Sequence, residues 1–496
     1  MRKRHLDKSV PMSTHISPRV ATAPFLALAI SLTACAAPEL GTGPQMKAPA
    51  TLAASRSLET QHLAADWPTE RWWASYGDPQ LNALVAEALA GSPSVAQAQA
   101  RILQARGAAQ AAGAALLPTL SGQGSGGLTK QSYNTGPPPQ FVPHGWKSTG
   151  TLALSGDFDL DLWGRNRSAL AAATSEAEAA EAEARQAELL LSSNLVSSYF
   201  DLARLIERGR ALAEAGRARA ALVDLTGQLA EQGLESDLPL RRAQTAAAAA
   251  RAAIAANDEQ ILLRRHALAA LLGAGPDRGL AITPPSLAAL PDAGLPADAG
   301  IALAGRRPDI VAARLRAEAA AKRIDAARAA FMPDISLRGL IGLTSLGLSQ
   351  LIDSGATYGN ADAALSLPIF EGGRLSGNLR QTRGAYDAAV ADYNAAVIGA
   401  LQEIADAVAS REAAAVQERE AREAQSTSQT AYELSMKRYR AGLSNFLDAL
   451  TAEAAALEAR EAAIDAHFRT LALEVSLTRA LGGGFADNSG EEGPSQ

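Results

Sequence analysis

The sequence is poor in cysteine and in aromatic residues. It has one cysteine, and Phe, Trp and Tyr together make up 4 % of its 496 residues. A single cysteine cannot form a disulfide within the chain, so a small disulfide-stapled fold is excluded. Beyond residue 34 there is no run of about 18 consecutive apolar residues, which a membrane-spanning helix would require. If the mature chain crosses a membrane, it must therefore do so with β-strands.

Signatures of catalysis, metal binding and nucleic-acid binding are missing as well. The formal net charge is -6, and no block of like charges marks a basic arm or an acidic tail. No histidine has metal-ligand spacing, and no nucleophile–base arrangement or phosphate-binding loop is present. The stretch 122–127 matches the letters of a dinucleotide fingerprint, but no helix start follows it. We therefore expect no enzymatic activity, no metal, no cofactor besides an N-terminal lipid, and no nucleic-acid partner.

The first residues have the composition of a targeting segment. Basic residues precede a mostly apolar stretch, 20–34, which is too short for a membrane span. The stretch ends in small residues directly before Cys35, as in the bacterial lipobox, where the cysteine becomes the lipidated first residue. We expect a signal peptide over residues 1–34 and a lipid anchor at Cys35, with translation starting at Met1 or Met12. The alternative is an ordinary signal peptide and a buried, free Cys35.

Alanine is abundant, which favours long and closely packed helices. The stretch 166–232 contains no proline. As a single helix it would be about 100 Å long, at 1.5 Å per residue. Its alanine and leucine residues recur at alternating spacings of three and four, which is the pattern of a coiled-coil seam. A helix of this length exceeds a compact domain and predicts a tube or a rod.

The chain contains an internal repeat. Three glycine-containing motifs recur 209 residues further on (373 - 164, 442 - 233 and 481 - 272) without a gap. Three coincidences in one register indicate an ancient duplication. The pairs are Gly164-Arg165 with Gly373-Arg374, Gly233-Leu234 with Gly442-Leu443, and Leu272-Gly273 with Leu481-Gly482.

Each half is expected to contain the same elements in the same order. A helix of about thirty residues precedes two short strands, a very long helix, a tight turn and a shorter helix. A Pro- and Gly-rich connector joins the halves. The predicted domains are a lipidated N-terminal segment (35–85), the first repeat (86–275), the connector (276–300), the second repeat (301–482) and a flexible tail (483–496).

Four segments of about ten residues alternate apolar and polar side chains, which is typical of lipid-facing barrel strands. Four strands cannot close a barrel, because the smallest transmembrane barrels have about eight. The chain must therefore associate with copies of itself, and closure allows a dimer with eight strands or a trimer with twelve. The alternative is the edge of a soluble sandwich, which would leave the long helices unexplained. The segments are 119–128, 152–162, 334–343 and 361–369.

Five motifs, in order along the chain, carry a resemblance to a known family. They are Trp72-Trp73 with Gly77-Asp78-Pro79-Gln80-Leu81, Asp159-Leu160-Asp161-Leu162-Trp163-Gly164-Arg165, Arg306-Arg307-Pro308-Asp309-Ile310, Phe331-Met332-Pro333-Asp334-Ile335, and Leu367-Pro368-Ile369-Phe370-Glu371-Gly372-Gly373-Arg374. Together they resemble the TolC-like outer-membrane factors, and within them the OprM/NodT type of efflux lipoprotein. The resemblance covers residues 35–485, and the order of the motifs makes it specific.

This resemblance implies an α+β membrane protein in the outer membrane. Three chains would form a twelve-stranded transmembrane β-barrel that continues into a long periplasmic α-helical barrel, with the connector and chain ends as an equatorial belt. The homotrimer would be the passive exit duct of a tripartite efflux system for small molecules or drugs. Its partners would be outer-membrane lipid, a periplasmic adaptor (a membrane fusion protein) and an RND-type pump of the inner membrane.

Two other functions stay open. Within the same fold, the duct would serve protein secretion or metal-ion export. In a different class, the chain would be a periplasmic coiled-coil structural or adaptor protein. Such a protein would have one helical hairpin flanked by β-domains, rather than two strand pairs that feed two long helices.

The resemblance places a periplasmic gate at two helix–turn–helix junctions, near 230–238 and 439–448. Glycine suits the positive φ that such turns often demand. Apolar and amide side chains would line or gate the closed pore, and arginine and tyrosine side chains would hold it shut by hydrogen bonds and ion pairs. Thr451 stands where the family often has an acid, which leaves the usual acidic ring in doubt. The predicted gate residues are Gly233, Leu234, Arg438, Tyr439, Arg440, Gly442, Leu443, Asn445, Leu447 and Asp448.

Overall fold

A computed structural model of the protein describes residues 38–58, 65–287 and 294–487. The predicted signal peptide, Cys35 and residues 488–496 of the predicted tail lie outside the described residues. The chain divides into two compact units. The sheet unit comprises Met1–Gly43, Gln110–Ala171 and Ala321–Ala385, and the helical unit comprises Pro44–Ala109, Ala172–Ala320 and Tyr386–Gln496.

Helices form most of both repeats. They are α1 (Ser55–Leu58), α2 (Pro79–Gly91), α3 (Pro93–Ala114), α4 (Arg165–Glu231), α5 (Asp237–Leu271), α6 (Asp277–Leu280), α7 (Ala299–Arg306), α8 (Pro308–Ala329), α9 (Arg374–Arg440) and α10 (Phe446–Ala480). Short 3₁₀ helices lie at Pro49–Thr51, Trp72–Tyr76, Pro139–Phe141 and Leu348–Gln350. Within the described residues, no helix is both long enough and apolar enough to cross a membrane.

The two repeats match in the lengths of their main helices. Helices α4 and α9 each have 67 residues, and α5 and α10 each have 35. Both pairs begin 209 residues apart, because 374 - 165 and 446 - 237 give the same difference. The internal repeat predicted from the glycine motifs is thereby confirmed.

The first helix of each repeat was expected to be continuous over about thirty residues, and this prediction is wrong. It is divided in both repeats directly before a proline. Ser92 and Arg307, the residues at the two breaks, have an extended backbone with ψ of 129° and 121°. A proline disfavours the helical conformation at the preceding residue, so Pro93 and Pro308 each end one helix and start the next.

The four strands form one antiparallel sheet in the order β1-β2-β3-β4. They are β1 (Thr119–Thr129), β2 (Lys147–Asp159), β3 (Asp334–Leu346) and β4 (Thr357–Ser366). The pairing places Leu154 opposite Ile341, so apolar residues of neighbouring strands share a face. On the other face, the hydroxyl oxygens of Ser121 and Ser155 are 2.8 Å apart. The predicted alternation of apolar and polar residues is therefore present.

Two strands end before their predicted limits. The strand predicted over 152–162 ends at Asp159, and the strand predicted over 361–369 ends at Ser366. Pro368 explains the second difference, because proline has no N–H to donate to a neighbouring strand. The alternating pattern thus continues in the sequence further than the hydrogen-bonded ladder does.

Asp161 explains the end of β2. The alternating sequence pattern predicted that Asp161 lies on the polar face of the strand, but its backbone adopts a positive φ of 42°. Its carboxylate accepts hydrogen bonds of 2.9 Å from the backbone N–H groups of Asn166 and Arg167, in the first turn of α4. A capping carboxylate satisfies amides that a helix start leaves unpaired. Asp161 therefore belongs to the helix start.

The helical unit has a hydrophobic core in each repeat. In the first core, Tyr76 packs edge-on against Phe200 of α4, with ring centroids 4.9 Å apart. In the second core, Leu303 and Ile310 pack with Ile404 of α9, and all three are fully buried. The first core thus joins the 3₁₀ helix Trp72–Tyr76 to α4, and the second joins α7 and α8 to α9.

Candidate functional site

Each long helix ends in a tight turn that leads into the following helix. Gly233 in the first turn has a φ of 70°, and Gly442 in the second has a φ of 71°. The residues that follow them, Leu234 and Leu443, each donate a backbone N–H to the carbonyl five residues earlier, at 2.9 Å. This is Schellman geometry, in which the left-handed position favours glycine. The positive φ predicted for the two glycines is confirmed.

The second turn has a side-chain helix cap that the first does not. Asn445 Oδ1 accepts a hydrogen bond of 2.9 Å from the backbone N–H of Asp448, at the start of α10. Ser236, which precedes α5, makes no such side-chain bond. A cap of this kind stabilises a helix by about 1 kcal/mol. Asn445, predicted as a pore-lining residue, therefore also has a structural role that the sequence analysis missed.

A hydrophobic cluster joins the two helical hairpins near their turns. Tyr439 and Phe446 lie at its centre, with ring centroids 6.0 Å apart in an edge-on arrangement. Both rings are buried, whereas Leu234, Leu443 and Leu447 are 70 %, 69 % and 50 % exposed. The turns therefore combine a packed interior with an uncovered apolar surface.

A hydrogen bond fastens the second hairpin to the turn of the first. The Tyr439 hydroxyl donates to Glu235 Oε2 at 2.9 Å. Burial raises the pKa of Tyr439 above its ordinary value, and the neighbouring Glu235 carboxylate raises it further. The phenol therefore stays protonated and keeps its donor at any physiological pH. Tyr439 was among the predicted gate residues, and Glu235 was not.

A buried ion pair lies behind the turns. Arg219 of α4 and Glu453 of α10 are 3.0 Å apart, and their side chains are 15 % and 7 % exposed. Arg219 also donates to the backbone carbonyl of Ala246 in α5, at 3.4 Å. One guanidinium thus connects three helices of the two hairpins. The sequence alone did not indicate this pair, because a partner 234 residues away leaves no local signal.

The remaining charged residues predicted for the gate are exposed. Arg438, Arg440 and Asp448 lie on the surface. Within the described ranges, the side chains of these three residues make no ion pair or hydrogen bond. The same part of the chain has no group of three or more His, Cys, Asp or Glu residues placed to hold a metal ion. Tyr439 is therefore bonded to Glu235, whereas the side chains of these three charged residues have no hydrogen-bond or ion-pair partner among the described residues.

Asp78, in the first of the five motifs, is the centre of a buried network in the first repeat. It is 2 % exposed. Its carboxylate accepts hydrogen bonds from the Tyr199 hydroxyl at 2.7 Å and from the Ser286 N–H at 3.0 Å. It also caps α2 by accepting from the N–H groups of Gln80 and Leu81. Asp78 thus fixes α2, α4 and the connector to one another.

Arg307, in the third motif, is the centre of a buried network in the second repeat. Its guanidinium donates to Glu403 of α9 at 2.7 Å, to Asp309 at 2.7 Å and to the carbonyl of Ala480 at 3.1 Å. Burial alone would lower the pKa of Arg307, but the carboxylates of Asp309 and Glu403 raise it above its ordinary value. The motif therefore fixes α8, α9 and α10 to one another through charge.

Comparisons of the sequence and the structure with known proteins agree on the kind of protein to which this chain is similar. The sequence profile of the family described as outer membrane efflux protein matches residues 84–274 and 302–483, which is most of both repeats. The fusaric acid resistance protein FusA of Burkholderia cepacia is 36 % identical over 339 residues, which cover 66 % of this chain and 62 % of FusA. The chain therefore spans less than two thirds of the length of FusA.

Two further proteins are similar over more of their length. The multidrug resistance outer membrane protein MdtP of Escherichia coli K12 is 30 % identical over 438 residues, which cover 86 % of this chain and 88 % of MdtP. Among solved structures, the outer membrane protein VceC of Vibrio cholerae superposes with a TM-score of 0.80 at 39 % identity. That superposition covers 84 % of this chain and 100 % of VceC.

Proposed function

Because the chain belongs to the outer membrane efflux protein family, we propose that it is the exit duct of a tripartite efflux system. It is an outer-membrane protein, and it is a passive channel rather than an enzyme. The observation that carries the proposal is a pair of long hairpins of equal length, each preceded by two strands, in a chain that matches this family. The resistance phenotypes in the names of FusA and MdtP support small-molecule export over protein secretion or metal-ion export.

The working form is a homotrimer with a twelve-stranded barrel. Within one sheet, β1 and β4 are the two edge strands, and unpaired edges are satisfied when sheets of neighbouring copies join. The apolar face of the sheet is open to its surroundings, since Leu120, Ile341 and Leu365 are 72 %, 63 % and 69 % exposed. Such a face is suited to lipid.

Exposed aromatic residues flank the strands at both ends, which supports the same position in the membrane. Phe141 and Trp146, in the loop between β1 and β2, are 74 % and 69 % exposed. Trp163 and Phe370, close to the starts of α4 and α9, are 52 % and 89 % exposed. Transmembrane barrels carry aromatic girdles at both interfaces, so these pairs would mark the two surfaces of the bilayer.

A lipid on Cys35 fits the path of the chain. The carbonyl of Gly41 accepts a hydrogen bond of 3.2 Å from Arg383 in α9. The six residue-to-residue steps from Cys35 to Gly41 can span up to about 20 Å. Arg383 lies nine residues into α9, or about 14 Å from its start. The anchor can therefore reach the level at which the strands meet the long helices.

The closed gate consists of the two turns and their exposed leucines. Tyr439 bonded to Glu235, and Arg219 paired with Glu453, hold the two hairpins of one chain together. Leu234, Leu443 and Leu447 then meet their counterparts in the other two copies and exclude water from the path. A periplasmic adaptor opens this contact, and an RND-type pump supplies the free energy of transport.

The test of this function is the accumulation of a fluorescent efflux dye in cells with and without the gene. We expect higher accumulation without the gene and restoration when the wild-type chain is supplied. Restoration should also occur with Arg251→Glu, a control change on an exposed position of α5. Unchanged accumulation, with the protein confirmed in the outer membrane, would contradict small-molecule efflux.

A second experiment addresses assembly. The protein extracted from outer membranes in mild detergent should have the mass of three mature chains, each being the 51.2 kDa full-length chain without residues 1–34. Cys35→Ala should weaken the anchor but leave the trimer in the membrane, because the barrel itself holds it there. Recovery of wild-type protein in the soluble periplasmic fraction would contradict the barrel.

A further inference from the structure

The turns differ in charge from the chain as a whole. We define the turn regions as residues 231–242 and 437–451. Together they contain five basic and four acidic residues, whereas the whole chain has 46 basic and 52 acidic residues. The excess of positive charge lies in the second region, which has Lys437, Arg438 and Arg440 against Asp448 alone. An acidic protein therefore has a net basic end.

Arg242 and Thr451 occupy equivalent positions of the two repeats, since 451 - 242 is 209. Both are exposed on the second turn of their helix, α5 or α10. Arg242 is about 8 Å along α5 from the helix start. Among the described residues its side chain makes no hydrogen bond or ion pair. At equivalent positions, the first repeat therefore has the guanidinium of Arg242 and the second has the neutral hydroxyl of Thr451.

Basic residues near a helix end are ordinarily explained by the helix dipole. The dipole explains only some of the basic residues in the two turn regions. Lys437, Arg438 and Arg440 lie in the last turn of α9, where the helix dipole stabilises cations. Arg241 and Arg242 lie near the opposite pole, at the start of α5, where the dipole gives a cation no benefit. Helix stability therefore does not explain the arginines of the first turn region.

Two acids close to the turns are held in contacts, whereas Glu231, Asp237 and Asp448 are exposed and their side chains make no hydrogen bond or ion pair among the described residues. Glu235 accepts the hydrogen bond from Tyr439, and Glu453 is paired with Arg219 in the interior. The exposed Arg242, Arg438 and Arg440 are not held in this way. The five exposed basic residues of the turn regions therefore outnumber the three exposed acids.

We infer that the turn regions select anions, such as small organic acids, over cations. This inference rests on the proposed function, because it requires that the turns line the transport path. Exposed charges act over about 8–10 Å at physiological salt, and a narrow passage concentrates the field of the charges that line it. The residues at the turns, rather than the net charge of the chain, therefore set the preference.

The polar face of the sheet has the opposite sign and is the competing determinant. It carries Asp157, Asp159, Asp334 and Asp362 against Arg338. If this face controlled selectivity, the duct would prefer cations. The sign of the preference in the wild-type protein therefore distinguishes the two regions.

The experiment is the reversal potential of the purified full-length protein in planar bilayers, under a tenfold gradient of potassium chloride. We expect wild-type channels to prefer chloride. Arg242→Glu should shift the chloride-to-potassium permeability ratio toward potassium by about threefold or more, because six charges change in three copies. Thr451→Asp should shift it in the same direction by a smaller factor. Arg251→Glu, about 13 Å further along α5, changes the same charge and should have little effect.

The outcomes separate the inference from the proposed function. Absence of any channel activity in the wild-type protein would contradict the duct itself. Channels that prefer potassium, or equal shifts for Arg242→Glu and Arg251→Glu, would overturn the anion preference while leaving the duct intact. If Arg242→Glu does not assemble, Arg242→Gln and Thr451→Asp supply the same comparison with smaller changes.

Discussion

The two helical hairpins have helices of the same lengths, but they are held in place by different side-chain contacts. Helices α4 and α5 have the same lengths as α9 and α10, and both turns use a glycine at the same position. The first repeat is fixed by hydrogen bonds that neutral groups donate to the Asp78 carboxylate, whereas the second is fixed by the ion pairs of Arg307. Duplication therefore preserved the backbone geometry, and the side chains that hold each copy have diverged.

This difference shows which features the fold demands and which it tolerates. The proposed helical barrel would need helices of equal length and turns at one level, which would explain why helix length and turn glycines are the same in both repeats. Several side-chain arrangements satisfy the buried polar groups equally well. The contacts between the hairpins should therefore differ in strength, and substitutions at equivalent positions can measure by how much.

The largest effect is expected at the buried ion pair. Glu453→Gln leaves Arg219 without its carboxylate, and breaking a buried pair on one side costs about 3–5 kcal/mol. We expect a lower free energy of unfolding, near the lower limit because glutamine retains one acceptor. The measurement is the denaturant midpoint of the detergent-solubilised protein, followed by its helical signal. Gln244, exposed at the equivalent position of α5, is the control, and equal losses for Gln244→Ala and Glu453→Gln would contradict this ranking.

The next effect is expected in the first repeat. Asp78→Ala removes the cap of α2 and leaves the buried Tyr199 hydroxyl with one partner fewer. The loss should be about 2–3 kcal/mol, less than for the ion pair, because the partners of Asp78 are neutral. The same denaturation experiment measures it. Asp277→Ala, at an exposed site of the connector, should lose less than 0.5 kcal/mol, roughly the limit for ordinary surface positions.

A smaller effect is expected at the link between the turns. Tyr439→Phe removes one hydrogen bond to Glu235, which is worth about 1 kcal/mol. Stability should change little, but the closed gate should leak, so cells should become more sensitive to a large antibiotic that the outer membrane normally excludes. Tyr432→Phe, on a half-buried tyrosine of the same helix, is the matched control. Unchanged sensitivity for Tyr439→Phe would rule out this bond as a gate restraint.

The smallest effect is a difference in acid sensitivity. Glu418 of α9 lies 2.8 Å from His467 and accepts from Thr470 at 2.9 Å. Burial alone would raise the pKa of Glu418, but its bonds to His467 and Thr470 and the charge of Arg422 lower it below its ordinary value. A lowered pKa means that Glu418 stabilises the fold above its ordinary pKa of about 4.3 and loses this effect as the pH falls further.

The equivalent position in α4 is Gly209, since 418 - 209 is 209, so the first hairpin has no such carboxylate. We expect the melting temperature of the wild-type protein to fall below about pH 4.3 more steeply than that of Glu418→Gln. Parallel pH profiles for the two proteins would show that Glu418 contributes nothing to acid sensitivity.

Features that depend on neighbouring residues could be predicted from the sequence. The long helices and the strands are predicted by the regular spacing of apolar residues, and the two turns are predicted by their glycines. The breaks before Pro93 and Pro308 had a local signal as well, in the prolines themselves. Asp161 is different, because both a strand pattern and a helix cap fit its sequence and only the cap forms.

The contacts that fasten the hairpins could not be predicted in the same way. Asp78 and Tyr199 are 121 residues apart, and Arg219 and Glu453 are 234 apart. Neither pair has a spacing that periodicity can detect, and many exposed arginines and glutamates have the same local surroundings. Only packing of the four long helices selects which charges are buried together.

The most direct test of the closed duct is the resting conductance of the purified protein in planar bilayers, for the wild type and for Tyr439→Phe combined with Glu453→Gln. We predict small, brief openings in the wild type and a large, sustained conductance when both links between the hairpins are removed. An equally low conductance in an assembled double variant would contradict the claim that these two contacts hold the duct closed.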